Sequence, residues 1–246
     1  MKEPNVEVEV WDLPIRLFHW VLFALLVFQA VSGTLGGDMM DWHVLTGYAI
    51  LALVVFRIFW GFAGSTHARF ASFAAGPRAT WHFTKRLFSR EAVPQVGHNP
   101  LGGWSVLAMI AILLVQGVTG LFAYDGVATQ GPLAYLVSIE ASNALSDIHD
   151  HNFKVLVALA AAHVVAVIYH LVVKKEDLTT PMFTGIKRVP AEMLRFRRES
   201  RRDTPPRRVA SRENPAGEFP SPWRAAGLLA AAVALVYVIV VFVGRR

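Results

Sequence analysis

The sequence predicts an all-α membrane protein, a four-helix transmembrane bundle followed by a fifth, C-terminal transmembrane helix. Three observations carry this. Hydrophobic residues make up 54% of the chain and charged residues 17%, with a mean hydropathy of +0.42, too apolar for a soluble domain of this length. The apolar residues gather into five stretches, Ile15–Leu35, Trp42–Phe62, Gly102–Ala123, Ile148–Val173 and Trp223–Val243, each near the roughly 20 residues a helix needs to cross the hydrocarbon core. The connections between them alternate sharply in charge.

The first span follows Met1–Pro14, which is acidic rather than basic. Its apolar run is longer than the core of a secretory signal, so it is expected to stay in the protein as a spanning helix. The second opens after the acidic turn Gly36–Asp41, which carries Asp38 and Asp41. The third follows a loop holding Arg69, Arg78, Lys85, Arg86 and Arg90 against Glu91 alone. The fourth follows Tyr124–Asp147, a connection with no Lys or Arg that carries Asp125, Glu140 and Asp147. Beyond it come Lys174, Lys175, Lys187, Arg188 and a run of arginines from Arg195 to Arg212.

Lys and Arg accumulate on the cytoplasmic side of short connections. The N-terminus and both basic segments are therefore expected on the cytoplasmic side, with the acidic connections outside. Arg245 and Arg246 run against that rule. The pI of about 9.9 then reflects topology and anionic lipid head groups, and no nucleic-acid partner is expected.

Three units follow. Residues 1–189 hold the four-span bundle. Residues 190–222, rich in Arg, Pro, Ser and Glu, read as a poorly ordered cytoplasmic linker with an amphipathic start around Ala191–Arg198. Residues 223–246 carry the fifth span, which has no ionisable residue in its interior. It reads as an accessory anchor, or as a helix for homo- or hetero-oligomer contacts. Trp20, Trp42, Trp60, Trp104 and Trp223 fall near span ends, where interfacial belts account for them.

The chain has no cysteine. That excludes disulfides, cysteine-ligated iron–sulfur clusters, thiolate-bound haem and covalent c-type haem. A metal would be held by histidine, methionine or carboxylate. Ionisable groups inside spans are costly, so each is a candidate for function. His19 lies near the inner end of the first span and His43 opens the second at its outer end. His149 sits near the outer end of the fourth span, and His163 lies 14 residues on, about 21 Å deeper and within about 40° of the same direction at 3.6 residues per turn. His43 and His149 thus share an outer level, and His19 and His163 an inner one. Two cross-helix imidazole pairs at two depths suit two low-spin haems, non-covalent and of b type. His151 points away and drops out.

Other residues fit stacked cofactors. Gly47 lies one turn after His43 and would let a flat porphyrin approach. Arg57 shares the face of His43 at the inner level and could pair with haem propionates; Arg16 could do likewise or snorkel to the interface. His170 lies on the face of His163 but nearer the inner surface, as an interfacial or propionate-side group. His98 and Asn99 open the third span and read as a helix cap, with an inner haem or quinone pocket as the alternative. Gly117 and Gly120 read as packing glycines.

These residues sit in recognisable motifs. WDLPIRLFHW, HVLTG, FRIFWG, GHNPLGGW and IHDHNFKVLVALAAAHVVAVIYHLVVKKEDLTTPMFTG are similar to the bacterial cytochrome b561 and nickel-hydrogenase b-type cytochrome family, across roughly Val10–Arg188. The resemblance implies a four-helix bundle with two b haems, His19 paired with His163 and His43 with His149. It also implies electron transfer between a periplasmic partner (a c-type cytochrome, hydrogenase or other dehydrogenase) and the quinone pool. The fifth span and the Arg/Pro linker depart from the family's four-helix pattern.

The function expected is therefore an electron-transfer cytochrome subunit, with a quinone near His98, Arg57 and His170 on the inner side. A stand-alone oxidoreductase, such as a superoxide:quinone oxidoreductase, is the second reading; no acid–base constellation for one is visible. A haem-free proton or ion pathway through the histidines and Arg57 is the third.

Overall fold

A computed structural model describes residues 5–86, 95–126, 129–191 and 219–244. Most of the 190–222 linker, its amphipathic start, Arg90, Glu91, and Arg245 and Arg246 lie outside the described residues. Among those described, five helices are long and apolar enough to cross a membrane. They are α1 (Leu13–Leu35), α2 (Met40–Ala63), α5 (Pro100–Phe122), α6 (Ile139–Val172) and α8 (Pro222–Tyr237, continued to Val243 by a π-helical turn). Shorter helices α3 (Phe70–Phe73) and α4 (Pro77–Arg86) connect α2 to α5, and α7 (Thr179–Thr184) follows α6.

The helix starts follow local chemistry. Asp12 caps α1 by accepting the Ile15 N–H at 2.8 Å, with Pro14 in the first turn. Asn99, not His98, caps α5 through the Gly102 N–H at 2.7 Å, and Pro100 follows it. Each side-chain oxygen satisfies one of the orphan donors of a first turn. Ser138 does the same for α6, which therefore begins nine residues before the apolar stretch that starts at Ile148. The expected loop Tyr124–Asp147 is corrected accordingly: residues 139–147 are helical but too polar to register as a span.

Backbone packing runs in the order α1, α2, α5, α6, with α8 laid against α2. Gly117 meets Leu51 so closely that a Cβ would stand 2.9 Å from its Cδ1, which fixes how near α5 comes to α2. Helices α1 and α6, at the two ends of this row, are not closely packed backbone to backbone. Side chains fill the space between, with an apolar layer of Leu22, Leu26, Ile50, Val54, Leu113 and Leu156 at mid-height. The outward faces stay apolar, as with Leu17, Val21, Val27 and Val31 on α1, which suits a helix whose surroundings are lipid.

One element was not anticipated. Strand β1 (Asn5–Glu9) pairs antiparallel with β2 (Ile186–Pro190), Glu7 opposite Arg188 and Val8 opposite Lys187. Val8, Val10, Val96 and Val189 pack beneath it. This ribbon closes one end of the bundle, called here the ribbon end. The fifth helix is likewise more than an appendage. Ala225 and Ala232 join a core with Ile15, Phe56 and Trp60, and Val236 joins another with Leu51, Leu121 and Leu133.

Candidate functional site

Histidines on α1, α2 and α6 meet in the middle of the bundle at two levels, all four half-buried. At the end away from the ribbon, the rings of His43 and His149 stand 6.3 Å apart between centroids, at 73° to each other. Their orientation is set from behind. His149 Nδ1 lies 3.0 Å from the Gln116 carbonyl, an acceptor only, so Nδ1 carries the proton and Nε2 a free lone pair. Thr119 Oγ1, 3.2 Å from the same nitrogen, already donates its hydrogen to the Val115 carbonyl at 2.7 Å and can only accept from the ring. Gln116 is itself held by Asn152, whose Nδ2 donates to Gln116 Oε1 and to the Ile112 carbonyl.

His43 is treated the same way. Its Nδ1 lies 3.2 Å from Ser32 Oγ, and the Ser32 hydroxyl donates to the Gln29 carbonyl. Gln29 Nε2 in turn donates to the His43 carbonyl at 2.9 Å. Glycines keep room for both rings: a Cβ on Gly33 would stand 2.9 Å from His43 Cε1, and one on Gly120 would stand 3.0 Å from His149 Cε1. Gly47, expected to face a porphyrin, instead makes room for Gln29, whose Nε2 would lie 3.2 Å from its Cβ. Gly120, read from the sequence as a helix-packing residue, turns out to seat a ring.

At the ribbon end His19 and His163 are near enough to interact electrostatically. His19 Nδ1 is buried without a hydrogen-bond partner, and none of the described hydrogen bonds involves His163. Arg57 is buried at this level, 4% exposed. Its Nη2 donates to the Ala68 carbonyl at 3.2 Å and its guanidinium lies 5.2 Å above the Phe70 ring. Nη1 is buried with no partner. Gly61 makes this possible, since a Cβ there would lie 2.2 Å from Phe70. Arg16 Nη1 donates to the Phe183 carbonyl and its Nε has no partner.

Trp60 departs from the interfacial belt expected of it. It is 1% exposed, and its Nε1 donates to Asp12 Oδ2 at 3.0 Å. Trp42, Trp104 and Trp223 are exposed, while Trp20 donates to the Met182 carbonyl at 3.0 Å and stacks on Phe183.

His98 is wedged between Trp11 and Phe73, each ring 4.7 Å away. Burial, then the charges of Arg57, His67, His163 and Lys187, push its pKa down to about 3, so the ring is neutral at physiological pH. It lines a shallow pocket with Phe73, Gln95 and Pro100. His170, by contrast, is turned toward Glu176. Its Nδ1 lies 2.9 Å from Glu176 Oε2, and Lys187 Nζ lies 2.7 Å from Oε1 and donates to the Gln95 carbonyl. Burial raises the Glu176 carboxyl, but Lys187 and then His170 outweigh it and hold the group below its ordinary value.

The sequence model of prokaryotic cytochrome b561 matches residues 10–185. The chain belongs to this family. It is an integral membrane protein, and membership implies haem b and electron transport. Among its relatives, the probable Ni/Fe-hydrogenase B-type cytochrome subunit of Azotobacter chroococcum mcd 1 is 28% identical over 209 residues, covering 72% of this chain and 87% of the relative. The protein of the same description from Azotobacter vinelandii is 26% identical with the same coverage. That from Rhodobacter capsulatus is 23% identical over 219 residues, covering 74% of this chain and 81% of its own. No solved structure matches.

The donor set can be tested against the cofactor the family implies. Two imidazoles binding one metal ion from opposite sides would stand about 6.2 Å apart between ring centres, from two metal–nitrogen bonds of about 2.0 Å and about 1.1 Å within each ring. The His43 and His149 rings match that spacing. Their Nδ1 atoms are engaged, and none of the described hydrogen bonds involves their Nε2 atoms, the arrangement that outer partners impose on ligating histidines. Among the described residues, groups of three or more His, Asp or Glu suited to a bare metal ion are absent; a haem iron takes only two protein ligands. The residues fit.

Proposed function

We propose that this chain is a di-haem electron-transfer subunit of the bacterial inner membrane. It would carry electrons from a periplasmic partner, by the relatives' descriptions a nickel–iron hydrogenase, to a quinone. The reading rests on one observation above all, the two imidazoles on α2 and α6 spaced and oriented as a bis-histidine pair.

His43 and His149 would hold the outer haem and His19 and His163 the inner one. Bound haem supplies a one-electron couple between ferric and ferrous iron. Everything else is the work of the chain. Ser32, Thr119 and Gln116 fix the rings; Gly33 and Gly120 let them lie close to the neighbouring backbone. The apolar layer between the levels excludes water. Arg57, buried with an orphan N–H, is poised to donate to a propionate, and Arg16 Nε offers a second unpartnered donor; a cation left unpaired at this depth would be costly. The pocket beside His98 is the proposed quinone position, with His98 as a hydrogen-bonding wall. Glu176 and Lys187, tied to His170, close that end beneath the ribbon.

The charge of the connections supports a ribbon end on the cytoplasmic side. Residues 1–189 would be the redox unit and 190–222 a linker. Residues 223–246 would brace α2 rather than lie free for an oligomer contact, since α8 is packed against it.

The test is a pyridine haemochrome assay on the purified chain. Two b haems are expected per chain, with His43→Ala or His149→Ala reducing the content to one, and likewise His19→Ala or His163→Ala. A folded sample from haem-replete cells without haem would favour the ion-pathway reading instead.

A further inference from the structure

The two histidine levels differ in how the chain treats the far side of each ring. At the outer level both Nδ1 atoms have a partner, His149 donating to the Gln116 carbonyl beside Thr119 Oγ1 and His43 lying 3.2 Å from Ser32 Oγ, which can accept from it while giving its own hydrogen to the Gln29 carbonyl. At the inner level His19 Nδ1 is buried and unpartnered, and no described bond engages His163. An N–H donated to an acceptor leaves the opposite nitrogen more electron-rich, so a ligating histidine becomes a stronger donor. Stronger donation favours ferric over ferrous iron and lowers the reduction potential.

A second observation points the same way independently. Arg57 is buried at the inner level and takes part in none of the described ion pairs. Among the described residues the buried cations are Arg57 and Lys187, and both lie toward the ribbon end. Lys187 is matched by Glu176; Arg57 has only the more distant charge of Asp12. A buried positive charge favours the state with one more electron, and a low-dielectric interior magnifies it; paired with a propionate of the inner haem, Arg57 would still cancel a negative charge that otherwise opposes reduction. At the outer level Asp150 and Lys154 pair with each other at the surface, and the charges two residues from the ligating pair, Asp41 before His43 and Asp147 before His149, are negative.

We infer that Ser32 and Thr119 hold the outer haem at the lower potential and Arg57 holds the inner haem at the higher, so that the bundle itself biases electrons from the outer level to the inner. This rests on the di-haem reading above. In the step concerned, one electron passes from ferrous iron between His43 and His149 to ferric iron between His19 and His163. The first is oxidised, the second reduced, and no proton moves. Each electron comes from a one-electron periplasmic donor, and two in succession, with two protons taken up on the side of the quinone, would reduce one quinone to quinol.

The experiment is a potentiometric titration of the full-length protein in detergent, followed by haem absorbance, with the haemochrome assay run on every sample. Wild type is expected to titrate in two steps. Thr119→Val and Ser32→Ala remove an acceptor, and each should raise the lower step alone, by up to about tenfold in the ferric/ferrous ratio, or about 59 mV for a one-electron couple. Thr119→Ser keeps the hydroxyl and should restore the wild-type value, which a merely structural role for Thr119 would not require. Arg57→Gln should lower the upper step.

Movement of the upper step in Thr119→Val, or of neither step, overturns the inference. Should Thr119→Val or Ser32→Ala lose one haem, the missing step identifies the outer level: loss of the lower step agrees with the assignment, and loss of the upper contradicts it. A wild-type chain carrying fewer than two haems is a different failure. It is seen in the haemochrome count and removes the di-haem reading together with this one.

Discussion

Gly33 offers a sharp test of how tightly the outer pair is built. Alanine in a helix interior is normally favoured over glycine by about 1 kcal/mol. At Gly33, however, the added Cβ would stand 2.9 Å from His43 Cε1 and 3.1 Å from its Nδ1, closer than carbon atoms settle in packed proteins. The ring must move by several tenths of an ångström, and Ser32 Oγ on its Nδ1 resists that movement. Overpacking of this kind costs about 1–3 kcal/mol, so the gain in helix propensity is cancelled or reversed. Gly227 on α8 is the control, because a Cβ there meets nothing within 4 Å. Gly227→Ala is expected to raise the thermal midpoint of the purified protein, and Gly33→Ala to lower it or leave it unchanged. Displacing a ligand's supporting shell costs about 10–100-fold in metal affinity, so Gly33→Ala should also lose haem on dilution while Gly227→Ala keeps it. If Gly33→Ala matched Gly227→Ala in both midpoint and haem retention, the close seating of His43 would carry no functional weight, and the spacing argument for the outer pair would fall with it.

Two further outcomes follow from the ribbon end. Trp60→Phe keeps most of the ring but removes the N–H that reaches Asp12 Oδ2, leaving a buried acceptor under-satisfied; a loss of about 1–3 kcal/mol is expected in denaturant unfolding. Glu176 is held below its ordinary value of 4.5 by Lys187 and His170, so its contribution is present in full above that value and is lost as pH falls through the lower, folded one. Glu176→Gln should therefore destabilise the protein at neutral pH, and its difference from wild type should shrink on acidification below about pH 4. A difference that held constant down to pH 3 would mean that the carboxylate contributes nothing as a charge.

The helices were legible because each long apolar run has one solution in lipid, a helix with its backbone bonds satisfied internally. The approach of His43 to His149, and of His19 to His163, was legible because helix geometry converts numbering into depth and face. The spacing between rings was not: the position of His43 relative to His149 depends on how α1, α2, α5 and α6 pack, and no local pattern encodes it. The polar first turns of α6 escape a hydropathy reading, because the apolar run begins at Ile148 while the capping Ser138 starts the helix nine residues earlier. The ribbon had a readable signal in the alternation of Val6, Val8 and Val10 with Glu7 and Glu9, which period-two patterning would have identified as a strand. Its partner, about 180 residues away, carries no such mark. Trp60 misled because tryptophan near a helix end is ordinarily an interface residue, and only the fold reveals Asp12 beside its indole. Ser32 and Thr119 were invisible for a simpler reason: a hydroxyl in an apolar helix usually bonds its own backbone, as both of these also do.

The β1–β2 ribbon also constrains how the chain is threaded. Hydrogen bonds cannot be made across a bilayer, so residues 5–9 and 186–190 must lie on one side of it, whichever side that is. The number of crossings between them must then be even. Helices α1, α2, α5 and α6 supply four, and the parity is met without reference to any lysine or arginine. Helix α8 adds one more crossing and reverses it. Reporters fused before β1 and after α8 should consequently give opposite readings, while one placed just after β2 should agree with the first; an arrangement in which any one of the four helices lay on the surface instead of spanning would pull the ribbon apart.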